Sequence, residues 1–179
     1  MLTLVLADCT MKVGPKEIGM KMSRPDLVHF SLLLAKDSGL AEERELRTVV
    51  HTRENKVFRF EADVKIPEDI YDFKNMIVHT VQGYDVHGVK FSNQTLMEVL
   101  KKEYGNKILM TPKGDKKSPI DIFSRQEDYV VVIGGFEEGD FISPLYRWAD
   151  KKISISDRLM KTWSVTAEVL VSYRYCSFE

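Results

Sequence analysis

The chain has 179 residues, 44% of them apolar and 30% charged, with 26 Lys and Arg against 27 Asp and Glu for a formal charge of −1. That length supports one domain with a substantial core, and the composition excludes disordered, collagen-like and membrane-embedded chains. A near-neutral balance allows a nucleic-acid partner only through a local basic face.

Leu2 to Ala7 is an unbroken apolar run and reads as a buried strand. It meets Asp8 too early for a signal peptide and has no basic residues ahead of it. No apolar run approaches the roughly 20 residues of a membrane span. The expectation is a soluble, cytoplasmic protein. Residues 8–23 are irregular, broken by Gly14-Pro15 and Gly19. Pro25 then opens a mostly apolar helix that ends near Gly39, since a proline costs nothing in a first turn.

Leu46–His51 and Lys56–Glu61 alternate apolar and polar residues around the turn Arg53-Glu54-Asn55. They read as a β-hairpin, an addition to the domain over about residues 45–62. Asp69 to Val81 has helical spacing. Thr95-Leu96-Met97-Glu98 fits a capping box that starts a short helix. Lys107–Thr111 and Tyr129–Ile133 read as buried strands, with a short helix at 118–124 between them. A helical turn near Pro144–Ala149, a strand at Lys152–Ser156 and a last helix from about Asp157 to Tyr173 follow. Strand and helix alternate through the second half. The fold class is therefore α/β, a mainly parallel sheet flanked by helices in a single domain, 1–179. Ligands on such sheets bind at the carboxyl ends of the strands. The loops leaving those ends are Thr111–Gly114, Gly134–Phe141 and Ser156–Met160.

The loop Gly134-Gly135-x-x-x-Gly139 matches neither the dinucleotide fingerprint nor a Walker A motif. Bare backbone at such a turn lets peptide groups approach a ligand. Glu137 and Glu138 inside the loop disfavour phosphate and favour a cationic or zwitterionic ligand. The plain alternative is a tight turn leaving a strand. Cys9 and Cys176 have no metal or redox spacing and read as reduced thiols. The four histidines form no cluster, so no metal is expected, and His29 reads as a core residue.

Three blocks carry a resemblance. The first is Ile133-Gly134-Gly135-Phe136-x-x-Gly139-Asp140-Phe141, with Ala149-Asp150-x-x-Ile153-Ser154-Ile155-Ser156 and Leu159-x-x-x-Trp163-Ser164-Val165. The second is Leu4-Val5-Leu6-Ala7, then Pro15-Lys16-Glu17-Ile18, then Arg24-Pro25-Asp26-Leu27-Val28-His29-Phe30. The third is Val50-His51-Thr52-Arg53 followed by Ile66-Pro67. In this order they resemble the small-subunit rRNA pseudouridine N1-methyltransferases, the ribosome-biogenesis members of the SPOUT class, in their compact archaeal form.

The resemblance implies a C-terminal trefoil knot, S-adenosylmethionine as cofactor (S-adenosylhomocysteine as product) and a homodimer. It also implies small-subunit rRNA as substrate and ribosomal proteins as further candidate partners. By matching position, the cofactor cradle would be backbone around Leu109, Thr111, Gly134, Gly135, Gly139, Ile153, Ser154, Ser156 and Leu159, with Trp163 packing behind. Asp26 and Arg24 would be the catalytic pair, Asp26 accepting a proton or orienting the base. A helix-capping ion pair is the alternative. Arg24, Arg53, Arg59 and Lys65 would contact RNA. Where relatives carry further RNA-gripping arginines, this chain has Glu68 and Asp72. A non-catalytic RNA-binding assembly factor, or a methyltransferase acting on tRNA, are the competing functions.

Overall fold

The computed structural model describes residues 1–124 and 126–178, with the backbone alone for Ser177 and Phe178. Seven strands form one sheet: β1 (Leu2–Cys9), β2 (Leu46–Thr52), β3 (Lys56–Phe60), β4 (Val89–Asn93), β5 (Asn106–Lys116), β6 (Tyr129–Gly134) and β7 (Lys151–Ser154). Their order across the sheet is β4-β3-β2-β1-β6-β5-β7. The β2, β1, β6, β5 and β7 neighbours pair parallel, while β3 pairs antiparallel with β2 and with β4. The hairpin is thus not an appendage. Its first arm is a core strand beside β1, and only β3 and β4 extend the sheet antiparallel. The sequence reading passed over β4, a short half-exposed edge strand with a weak alternation.

Period-two alternation sends each strand's side chains to two cores. Leu2, Leu4 and Leu6 of β1, Tyr129, Val131 and Ile133 of β6, and Ile108 and Met110 of β5 enter the larger one. Helices α1 (Pro25–Lys36), α2 (Gly39–Glu42), α3 (Ile70–Val81) and α6 (Thr162–Phe178) supply its other wall. Val5, Ala7, Val130, Val132 and Leu109 face the opposite side, closed by α4 (Leu96–Leu100) and α5 (Leu145–Trp148). Both sheet faces are covered, which is why these strands read as continuous apolar runs.

Several ends were legible. Thr95 and Glu98 make the reciprocal capping box of α4, and Asp69 caps α3 through the amides of Tyr71 and Asp72. Helix α1 stops at Lys36, and Gly39 opens α2 rather than ending α1. The last helix begins at Thr162, not near Asp157. Residues 157–161 are held as a loop instead: the Arg158 amide donates to Ser156 Oγ at 3.0 Å and Lys116 pairs with Asp157 at 2.5 Å. His29 is a core residue as expected, donating from Nε2 to the Pro67 carbonyl at 2.6 Å and stacking on Phe73. Among the described residues, no helix is long and apolar enough to cross a membrane and no group of His, Cys, Asp and Glu is placed to hold a metal.

Gly135 is fixed by packing. Its amide donates to the Ala7 carbonyl at 2.9 Å and its carbonyl accepts from Thr10 at 3.1 Å. A Cβ there would lie 2.1 Å from Cys9 Sγ and 3.1 Å from Cys9 Cα. Gly135→Ala should therefore lower the unfolding free energy by about 1–3 kcal/mol through overpacking. Denaturant titration checks this, and wild-type stability would show that the strand end has room to spare.

Candidate functional site

Because β1, β6, β5 and β7 run parallel, Met110, Gly134 and Ser154 reach the same edge of the sheet. An open cleft of about 110 Å³ lies there. Its walls are the three loops expected at the strand ends, together with Thr162 and Val165 of α6. Met110, Ile133, Ile153, Ile155 and Val165 make it largely apolar.

Two sequence features shape this cleft. In β5 the pairing with β7 breaks between Met110 and Asp115, so Ile153 sits opposite both and the intervening residues arch outward. That arch carries Thr111 and Pro112 into the lining. Gly114 permits it, since a Cβ there would stand 2.5 Å from the Ile153 nitrogen. The second feature is the left-handed backbone of Gly139, with φ of 87°, which turns the glycine loop back toward Phe141. Thr162 Oγ1 donates to the Gly134 carbonyl at 2.8 Å and ties α6 to the strand end.

Seven of the nine positions expected to cradle a cofactor meet here: Thr111, Gly134, Gly139, Ile153, Ser154, Ser156 and Leu159. Leu109 and Gly135 do not. The Leu109 side chain is fully buried on the opposite face of the sheet, in the smaller core, and Gly135 has both backbone groups committed to residues 7 and 10. Trp163 packs edge-on against Phe30 of α1 at 5.3 Å, outside the lining. Phe136, Phe141, Met160 and Arg158 line the cleft and escaped the sequence reading. The signal for them was only their place inside the three loops.

Charge at the rim differs from expectation. Glu138 is exposed, but Glu137 is bound by Lys161 at 2.5 Å and by Arg24. Those two cations hold its carboxyl below the ordinary glutamate range. Arg24 is also forked onto Asp26, with Nε to Oδ1 at 2.9 Å and Nη2 to Oδ2 at 2.7 Å. These bonds hold the Asp26 carboxyl below its usual value, against the desolvation that opposes them. Arg24 and Asp26 thus form an ion pair, and Arg24 links it through Glu137 to the cleft. Asp140 also lines the cleft. Burial works to raise its pKa, but Lys113, the Phe141 amide and the Tyr146 hydroxyl outweigh it and hold the carboxyl low. Tyr146 OH donates to Asp140 at 2.9 Å and lies 3.0 Å from Thr111 Oγ1.

The expected RNA contacts scatter. Arg53 turns inward: its guanidinium lies 5.0 Å over the Phe136 ring and donates to the carbonyls of Asp8 and Asp140. Arg59 pairs at 2.6 Å with Glu103, whose side chain is 4% exposed and needs a cation. Both are engaged within the protein rather than on a solvated hairpin face. Lys65 is exposed on the segment after β3, as are Glu68 and Asp72.

The chain can be set beside known proteins. A profile of the EMG1/NEP1 methyltransferase family matches residues 4–174. The ribosomal RNA small subunit methyltransferase Nep1 of Thermococcus sibiricus is 32% identical over 163 residues, spanning 87% of this chain and 73% of that protein. Its counterpart in Pyrococcus furiosus is 30% identical over 171 residues, spanning 89% and 74%. The crystal structure of Archaeoglobus fulgidus Nep1 bound to S-adenosylhomocysteine superposes with a TM-score of 0.75 at 18% identity, covering 98% of this chain and 97% of that one. At that identity the likeness is one of fold. The family match over nearly the whole length, with the cleft at the strand ends, places the chain in the EMG1/NEP1 methyltransferase family.

Proposed function

We propose that the cleft binds S-adenosylmethionine and that the protein methylates N1 of a pseudouridine in small-subunit rRNA during ribosome biogenesis. One observation carries this reading: in a chain of this family, seven of the nine positions expected to form a cofactor cradle line one largely apolar cleft. The residues present fit the cofactor. Isoleucines, methionine and valine offer apolar walls for an adenine, and the glycine and serine loops offer peptide groups for its polar edge. Bound there, S-adenosylmethionine would supply a methyl group already activated by a positive sulfur. The trefoil threading and the cytoplasmic location implied by the family belong to the same reading.

The protein's own part is alignment and proton management. Asp26, forked by Arg24, stays ionised at neutral pH. A carboxylate held that low is a weak base. Its role would be to accept a hydrogen bond from N1–H, orient the base and offset the positive charge that would build on N1 as the methyl is transferred, the proton then passing to solvent water. Arg24 fixes Asp26 and faces Glu137 on the rim, so the base-orienting pair and the cofactor loop are mechanically joined. Lys65 is the exposed candidate for an RNA phosphate contact. Arg24, Arg53 and Arg59 would first have to leave their internal partners. Homodimer formation is supported by an apolar face on the packed helices α1 and α6, where Phe30 and Leu34 are 45% and 40% exposed and Val171 is 67% exposed.

Mass spectrometry of a pseudouridine-containing small-subunit rRNA hairpin, incubated with protein and S-adenosylmethionine, should show one added methyl on the pseudouridine. RNA and cofactor binding with no gain would mark an assembly factor, and gain confined to tRNA would mark a different substrate. Either result overturns the proposal. Asp26→Asn should slow turnover about tenfold or more, the loss of a hydrogen bond to a charged group, while calorimetry finds cofactor affinity within twofold of wild type. Unchanged turnover would reduce Asp26 to a helix-end ion pair. Val165→Trp should fill the cleft and weaken cofactor binding at least tenfold. Wild-type affinity in that variant would place the cofactor elsewhere.

A further inference from the structure

Asp8 holds the cleft's main loop with its side chain and its backbone together. It lies near the end of β1, fully buried, with φ of 51°. Left-handed backbone is uncommon for any side chain but glycine, although aspartate tolerates it better than most. The kink coincides with a register shift between Leu6 and Cys9 in the pairing with β2, and it turns the carboxylate toward the far end of the glycine loop. Oδ2 accepts from the Ile142 amide at 2.8 Å and the Ser143 amide at 2.9 Å, and Oδ1 accepts from the Ser143 hydroxyl at 2.7 Å. The Asp8 carbonyl accepts from Arg53 Nε at 3.2 Å, and Arg53 in turn covers the ring of Phe136. On either side, Ala7 and Thr10 bind Gly135.

The loop is therefore pinned at residues 135, 142 and 143 by the end of β1 and the residue just after it, and at 136 through Arg53. Between the pins lie Glu137, Gly139, Asp140 and Phe141, all lining the cleft, while Asp8 itself does not. His51 is the titratable group facing the carboxylate, with Nδ1 3.5 Å from Oδ1. Its other ring nitrogen lies 3.1 Å from Asn55. Charge-assisted bonds from two amides and a hydroxyl are strong in such a buried setting. A glycine would suit the backbone better, so the side chain is present for those bonds.

We propose that Asp8 is a positioning residue: its buried carboxylate fixes the glycine loop in the shape that binds the cofactor, without touching the cofactor. This rests on the reading of the cleft as the S-adenosylmethionine site.

The test is calorimetric titration of S-adenosylhomocysteine into wild type and Asp8→Gly, with amide hydrogen exchange of the peptide covering 136–144. Asp8→Gly removes the carboxylate while relieving the backbone. The dissociation constant should rise at least tenfold and exchange at Ile142 and Ser143 should quicken. Val130→Ala, a core truncation that also lowers the melting temperature, should leave the constant within twofold. Wild-type affinity in folded Asp8→Gly overturns the proposal, as does an equal loss in Val130→Ala. Should Asp8→Gly fail to fold, Ser143→Ala removes only the hydroxyl bond and should weaken binding about threefold, and an unchanged constant there is equally fatal. Failure of wild type itself to bind would instead sink the reading of the cleft.

Discussion

The parallel pairing of β6 with β1 on one side and β5 on the other is the constraint from which the site follows. Parallel neighbours must deliver their carboxyl ends to one edge, so the loops after β5, β6 and β7 face each other without any further device. The pairing is held by burial on both faces: Val130 to Ile133 of β6 are at most 2% exposed. Burying side chains of that size is worth about 1.5–3 kcal/mol each, far more than the rim ion pairs. The sheet sets the walls of the cleft, and the loops only finish them.

What finishes them is mostly backbone and internal wiring rather than free charge. Glu137, one of the two loop acids that line the cleft, is spoken for by Lys161 and Arg24. Solvent-facing pairs of this kind add little stability. Their effect is geometric. They join the start of α1, the glycine loop and the approach to α6 into one rim, so anything that draws Arg24 away also pulls on the loop that lines the cleft. In the proposed reading, recognition of the cofactor falls to shape, apolar walls and peptide groups.

The sequence made the strands readable because doubly buried strands are long apolar runs, and β1 and β6 were placed almost to the residue. It made the location of the cleft readable through the rule on strand ends. It did not make the roles of individual residues readable. Gly135 looked like part of a ligand cradle, yet its missing Cβ serves the close approach of Cys9, a contact 126 residues away in sequence that no local pattern encodes. Leu109 was expected to offer backbone, and its side chain turns to the smaller core because the alternation in β5 points it there. Arg53 looked like a hairpin cation, and only the three-dimensional path shows it stacked on Phe136. Asp8 carried no motif at all. Its importance comes from Ile142 and Ser143, which meet it only after folding.

The most direct measurement is a crystal structure of the protein grown with S-adenosylhomocysteine. The account requires the ligand's adenine between the apolar residues at the ends of β5, β6 and β7, with its polar edge on the glycine and serine loops and Asp8 still bonded to residues 142 and 143. Density for the ligand at any other surface, or a cleft that stays empty at saturating ligand, would contradict it.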